Sequence, residues 1–253
     1  MYVACSTLCF AKLPFDEALR VMREMRFVKI DLAIHEEGPH LKPSEVAADV
    51  GKIAVRMKAT NLAVAAIHAQ FAEHDSAEVR VHLKALCRLA RILAVPLLTV
   101  AAAPAGADLA VESERLIEWT AIAAAEGVIL TVETKAGTLT ADPLGAVELC
   151  RLVPGLGITL DPSHYHCGPH AGANYDSLFP HVRHVRLRDT GKSPELFSVR
   201  VGQGEIEYGR IVTQLERMRY DRCLSVDIQD VPDNAFPVEP EVRKLKYLLE
   251  SLV

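Results

Sequence analysis

Stretches with the character of buried strands alternate with helical stretches eight times along this 253-residue chain. Short, β-branched apolar runs read as strands at Tyr2–Cys5, Phe27–Ile34, Asn61–His68 and Val95–Ala101. A fifth run ends at Glu133, and a sixth is framed by Gly155 and Gly157. The last two are His181–Arg188 and Arg222–Ile228. Between them, apolar residues at helical spacing predict helices over Glu17–Met25, opened by Asp16, and over Glu45–Thr60 behind Ser44 as N-cap. Further helices are expected over Ser76–Leu93 and over Val111–Glu126, which Gly127 stops. Another starts at Pro143, a short one follows Asn174, and Tyr208–Met218 and Pro240–Leu252 complete the set. Eight such units without a break in composition fit one closed (β/α)8 barrel spanning residues 1–253. An open doubly wound sheet is the competing architecture. It would normally carry a glycine-rich phosphate turn, and Gly202-Gln-Gly204 is too short to be one.

Composition narrows the function classes. The net charge is −5 with both signs dispersed, so there is no basic stripe for nucleic acid. The six cysteines form no C-x-x-C pair, which predicts buried free thiols and gives a thiolate zinc site no support. The N-terminus lacks a signal-peptide pattern and no apolar run is long enough to span a membrane, so a cytoplasmic protein is expected.

Three acids close predicted strands: Glu133, Asp161 and Asp227. The working face of a barrel of this kind is the C-terminal end of its strands. A lone acid there is costly to bury unless it is paired or bound to a cation. Three together suggest a hard-cation site for Mg²⁺ or Mn²⁺ and an oxygen-rich substrate. Asp161 opens Asp161-Pro-Ser-His164, where the proline can turn His164 back towards the same pocket, with His166 and His170 in the loop beyond. On strand seven, alternation places His184, Arg186 and Arg188 on one face. These arginines either hold an anionic group of the substrate or pair with the three acids as a structural network. His35 and His68 end strands two and three at the same rim, and Trp119 reads as core.

Several segments, in this order and spacing, resemble the sugar phosphate isomerase/epimerase group of xylose isomerase-like TIM barrels, within the AP endonuclease family 2 superfamily. They are Leu13-Pro-Phe-Asp-Glu-Ala-Leu19, Phe27-Val-Lys-Ile-Asp31, Val132-Glu133 and Leu160-Asp-Pro-Ser-His164. His184-Val-Arg-Leu-Arg-Asp189, Gly202-Gln-Gly-Glu205 and Leu224-Ser-Val-Asp227 follow. The resemblance implies a divalent metal, often Mn²⁺, held by residues of strands five to eight, with two carboxylates moving a proton between adjacent carbons. Glu133 and Asp161 match the first two ligands, and His164 matches a histidine that usually contacts substrate. The third ligand position, normally His or Gln, holds Arg186, and the fourth, normally Glu, holds Asp227. Arginine has no lone pair to give a metal, and Asp227 is shorter than Glu by about 1.5 Å. Two possibilities stay open: metal bound by Glu133, Asp161 and Asp227 with His164 or water, or a metal-free site in which the Arg186 guanidinium replaces the cation.

The resemblance thus implies a sugar or keto-sugar isomerase or epimerase with Glu133 and Asp227 as acid/base pair. His68, His164, Arg186 and Arg200 are the candidate substrate contacts. A lyase or dehydratase with the same base, and His68 or His164 as acid, is the first alternative. A non-catalytic sugar-binding barrel is the second. The expected partner is a small carbohydrate, with neither nucleic acid nor membrane involved, and a homo-oligomer is compatible with the pattern. The nuclease branch fits poorly, because strand four ends in Thr99-Val-Ala-Ala-Ala103 with no histidine.

Overall fold

The computed structural model describes residues 1–232 and 234–253. Its strands are β1 (Tyr2–Ser6), β2 (Lys29–His35), β3 (Ala63–Gln70), β4 (Leu97–Val100), β5 (Ile129–Glu133), β6 (Gly157–Leu160), β7 (Val182–Leu187) and β8 (Cys223–Val226). All run parallel in chain order, and β8 pairs with β1 to close the barrel. The expected (β/α)8 architecture is therefore the observed one. Closure requires each strand to be covered by a helix on the outside and packed by side chains on the inside. The covering layer comprises α1 (Phe15–Glu24), α2 (Pro43–Ala48), α3 (Val50–Lys58), α4 (Ala77–Ile92), α5 (Leu109–Ala125) and α6 (Pro143–Leu152), then α7 (Ser163–Cys167), α8 (Tyr208–Arg217) and α9 (Val238–Glu250).

Helix starts follow the capping residues. Ser76 accepts from Val79 N–H, Asp108 from Ala110 N–H and Asp142 from Leu144 N–H. Gly127, with φ of +72°, ends α5 in the left-handed region as its position predicted. Three expectations change. The single helix over Glu45–Thr60 is two helices, because Asp49 leaves helical geometry (φ −156°, ψ 85°) and its side chain accepts from Lys52 N–H to start α3. Ser44 lies inside α2 and donates its hydroxyl to Glu36 instead of capping. The β6–β7 connection is only the short α7 and a 3-10 turn over Asp176–His181, which places His164 and His166 on a helix.

Apolar residues fill the shell between sheet and helices; Ile211, Val212 and Leu215 of α8 and Trp119 of α5 are all buried. Each such side chain contributes roughly 1.5–3 kcal/mol relative to exposure. The barrel interior holds polar side chains as well as a small apolar cluster of Ala4, Ala65 and Cys223. Thr99, Thr131 and Thr159, from β4, β5 and β6, bring their hydroxyls within 2.7–2.9 Å of one another. The Asp189 carboxylate accepts from the N–H groups of Thr190, Gly202 and Gly204, which fastens the loop after β7. This gives the Gly202-Gln-Gly204 motif a structural role. The six cysteines are free thiols, and all but Cys150 are buried. Among the described residues no helix is long and apolar enough to cross a membrane.

Candidate functional site

At the C-terminal mouth of the barrel lies a cavity of about 340 Å³ whose wall includes His35, His68, Glu133, Lys135, Asp161, His164, Arg186 and Arg188. Strand alternation explains the convergence. Residues 184, 186 and 188 point inward from β7 and its end, and Val185 and Leu187 point out to the helices. All three inward side chains are at most 2% exposed.

Arg186 sits at the centre. Its Nη1 donates to Glu133 Oε1 at 2.7 Å, and Nη2 donates to Asp227 Oδ1 at 2.8 Å and to Ser6 Oγ at 3.3 Å. Its Nε lies 3.3 Å from Asp31 Oδ2. Arg188 forms the second node: Nη2 pairs with Asp161 Oδ2 at 2.8 Å and with Asp227 Oδ2, and Nε donates to the Asp227 carbonyl at 3.0 Å. The Phe197 ring lies 4.6 Å from this guanidinium. Asp161 is steadied from the other side by Ser163 N–H at 3.0 Å.

The imidazoles form a chain above this floor. His35 Nε2 and His68 Nδ1 are 2.8 Å apart, and His68 Nε2 is 3.4 Å from Glu133 Oε2. Burial, then the charges of His68 and Arg186, pushes His35 down to about 3, so it is neutral at physiological pH. Burial alone would raise the Glu133 carboxyl, but His68 and Arg186 outweigh it and hold the group well below the usual carboxylate range. Asp227 follows the same logic: burial opposes ionisation, and Arg186 and Arg188 overcome it. Burial also lowers His164, whose Nε2 is 3.8 Å from Asp161 Oδ2 and whose ring packs on Phe197.

Glu133, Asp161, His68, His164 and Arg186 are therefore brought together as the strand ends predicted. Two expected site residues are not. Asp227 is fully buried beneath the guanidinium groups and does not line the cavity, so the second carboxylate of the expected acid/base pair faces arginines instead of substrate. Arg200 stands off the mouth, pairing with Glu241 at 3.3 Å over the Phe236 ring. His68 lies two residues inside β3 rather than at its end. Asp31 was legible only as part of a family segment. Fully buried on β2, it accepts from His184 Nε2 at 3.0 Å and faces Arg186. An acid inside the apolar run Ile30–Ile34 carries the same signal as the three strand-end acids.

The arrangement does not fit a divalent ion held by Glu133, Asp161, Asp227 and His164. Glu133 Oε1, both oxygens of Asp227 and Asp161 Oδ2 already face guanidinium nitrogens. Among the described residues no group of three or more His, Cys, Asp or Glu side chains is placed to hold a metal. A doubly charged ion ~4 Å from Arg186 would also meet roughly 8 kcal/mol of repulsion at an effective dielectric of about 20. What the site offers is a fixed positive floor, an ionised carboxylate at the cavity wall and imidazole groups within reach of it.

Comparison with known proteins agrees with this architecture. Residues 19–250 match the family described as xylose isomerase-like TIM barrel. Among solved structures, a xylose isomerase domain protein from Alicyclobacillus acidocaldarius superposes with a TM-score of 0.77 at 16% identity, covering 100% of this chain and 98% of the other. A D-tagatose 3-epimerase-like protein gives 0.74 at 20% identity, with 100% and 98% coverage. The probable 3-DHS dehydratase AsbF, involved in petrobactin synthesis in Bacillus anthracis, gives 0.75 at 16%, with 99% of each chain covered. No curated protein sequence matches. With 232 consecutive residues matched, this chain belongs to the xylose isomerase-like TIM barrel family.

Proposed function

We propose that this protein is an enzyme that moves a proton on a small keto-sugar or related polyhydroxy carbonyl compound, with Glu133 as the base. One observation carries the reading: Glu133 lines the cavity in its ionised form, between the Arg186 guanidinium at 2.7 Å and His68 at 3.4 Å. A base beside a fixed cation is what formation of an enediolate requires. The carboxylate takes the proton on the carbon next to a carbonyl, and preorganised donors hold the oxygen on which charge develops. Arg186, Arg188, His164 and Lys135 supply donors at the cavity wall. Glu133 can return the proton to the neighbouring carbon on the same face while the hydroxyl proton passes from one oxygen of the enediolate to the other, which is isomerisation. Epimerisation needs delivery from the opposite face, and Asp227 is too deep for that. Within this reading, isomerisation is therefore favoured over epimerisation.

The second reading is elimination, a lyase or dehydratase. Its support is the imidazole of His68 against the same carboxylate, an acid placed next to the base; the likeness to AsbF is in keeping with it. Product mass separates the two, because isomerisation conserves it and loss of water does not.

The test uses a panel of keto-sugars in D₂O. Wild-type protein is expected to exchange the proton next to the carbonyl of its substrate. The Glu133→Gln variant is expected to lose this exchange by about 10²–10⁴-fold or more. Exchange at the wild-type rate in a folded Glu133→Gln protein would rule Glu133 out as the base.

A further inference from the structure

We propose that Arg186 is the built-in cation of this barrel, that the chain works without a divalent metal, and that a latent metal site is exposed when the guanidinium is removed. Three acids surround Arg186 from three parts of the barrel: Glu133 from β5, Asp31 from β2, and Asp227 just beyond β8. Each faces a different nitrogen of one planar group, at 2.7–3.3 Å. This is how oxygen ligands gather around a metal ion, with a covalently attached charge in the ion's place. Arg188 then holds Asp161 and the remaining oxygen of Asp227, so four buried carboxylates are tied to two guanidinium groups.

Stability gives little reason to bury such a network. Desolvation of the charges roughly cancels their attraction, and apolar side chains of similar volume would often hold the fold better. The position at the cavity floor gives a reason. A guanidinium stays charged at every physiological pH, and no chelator can remove it. It supplies standing positive charge where negative charge develops in the reaction proposed above. The inference does not rest on that reaction, since cation binding is measured without substrate.

If Arg186 stands in place of an ion, its removal must leave oxygens that attract one. Arg186→His vacates the volume between Glu133 Oε1, Asp227 Oδ1 and Asp31 Oδ2 and adds an imidazole on the same strand, a donor set that suits Mn²⁺ or Co²⁺. The experiment compares wild type with Arg186→His by elemental analysis, by Co²⁺ titration followed through visible absorption, and by thermal unfolding with and without Mn²⁺. Wild type is expected to hold only substoichiometric metal, to show no saturable Co²⁺ spectrum and to keep its Tm. Arg186→His is expected to bind a single equivalent of Co²⁺. Its Tm should rise by roughly 5–10 °C at Mn²⁺ ~100-fold above Kd. A stoichiometric metal in wild type, or a saturable Co²⁺ spectrum that Glu133→Gln removes, overturns the proposal. So does a folded Arg186→His variant that binds neither ion. The wild-type titration needs no variant and decides the point alone if Arg186→His does not fold. Metal in the wild-type protein would leave Glu133 as base to its own exchange test.

Discussion

Replacing Arg188 by methionine isolates the lower node of the ion network. Methionine keeps much of the side-chain volume against Phe197 and deletes the charge. Lost are the pairs to Asp161 at 2.8 Å and to Asp227, and the Nε bond to the Asp227 carbonyl at 3.0 Å. Asp227 keeps Arg186 at 2.8 Å and Gln229 at 3.4 Å, and Asp161 keeps Ser163 N–H at 3.0 Å and the more distant His164 Nε2 at 3.8 Å. Breaking one side of a buried pair costs about 3–5 kcal/mol, because the partner charge stays behind. In a chain of this size that lowers Tm by roughly 6–20 °C. The pH dependence sharpens the test. In wild type the Asp227 pKa is depressed, so its contribution to stability is fully present above the unfolded value and is lost as pH falls through the folded one. Without Arg188 the folded pKa rises towards or above the unfolded value, and protonation then relieves the uncompensated charge. The gap between variant and wild type must therefore be widest at neutral pH and narrow on acidification towards about pH 4. Urea denaturation followed by circular dichroism at several pH values measures it. A gap below about 1 kcal/mol at pH 7, or one that does not change with pH, would show that Arg188 does not neutralise these carboxylates.

Two smaller predictions test other assignments. A Cβ at Gly204 would lie 2.6 Å from the Thr190 carbonyl oxygen, so Gly204→Ala is expected to cost about 1–3 kcal/mol in denaturation, and an unchanged midpoint would show that the loop yields freely. Arg200→Ala removes a half-exposed guanidinium away from the cavity, so keto-sugar affinity by calorimetry should stay within about twofold, and stability should fall by no more than about 1 kcal/mol; a large loss of affinity would return Arg200 to the site.

The barrel was legible because its two periodicities are distinct: apolar β-branched runs set the strands, and runs with apolar residues at helical spacing, punctuated by Gly127 as a stop and Pro143 as a start, set the helices. The inward face of β7 was legible as well, since two-residue alternation fixes the side of His184, Arg186 and Arg188 without reference to any other strand. Depth and pairing were not. Nothing in Leu224-Ser-Val-Asp227 says that this acid lies beneath two arginines while Glu133 reaches the cavity; that depends on the stagger between strands as the barrel closes. Asp31 was missed for a simpler reason. Two-residue alternation along β2 puts it on the face of His35, but it lies inside the strand and the acids singled out were those that close strands. The break at Asp49 escaped because Asp is tolerated within a helix, and only its bond to Lys52 N–H shows that it starts a new one.

The triangle of Thr99, Thr131 and Thr159 has a consequence for any isotope experiment on this protein. Each hydroxyl has one proton to give, so three hydroxyls in mutual contact can satisfy one another in a cycle that calls for no water. All three are fully buried on the β4–β6 side of the barrel, so their hydroxyl protons are expected to exchange slowly with solvent deuterium. The rate at which these hydroxyls take up deuterium would then clock the opening of the barrel interior, whatever sugar is bound at the rim.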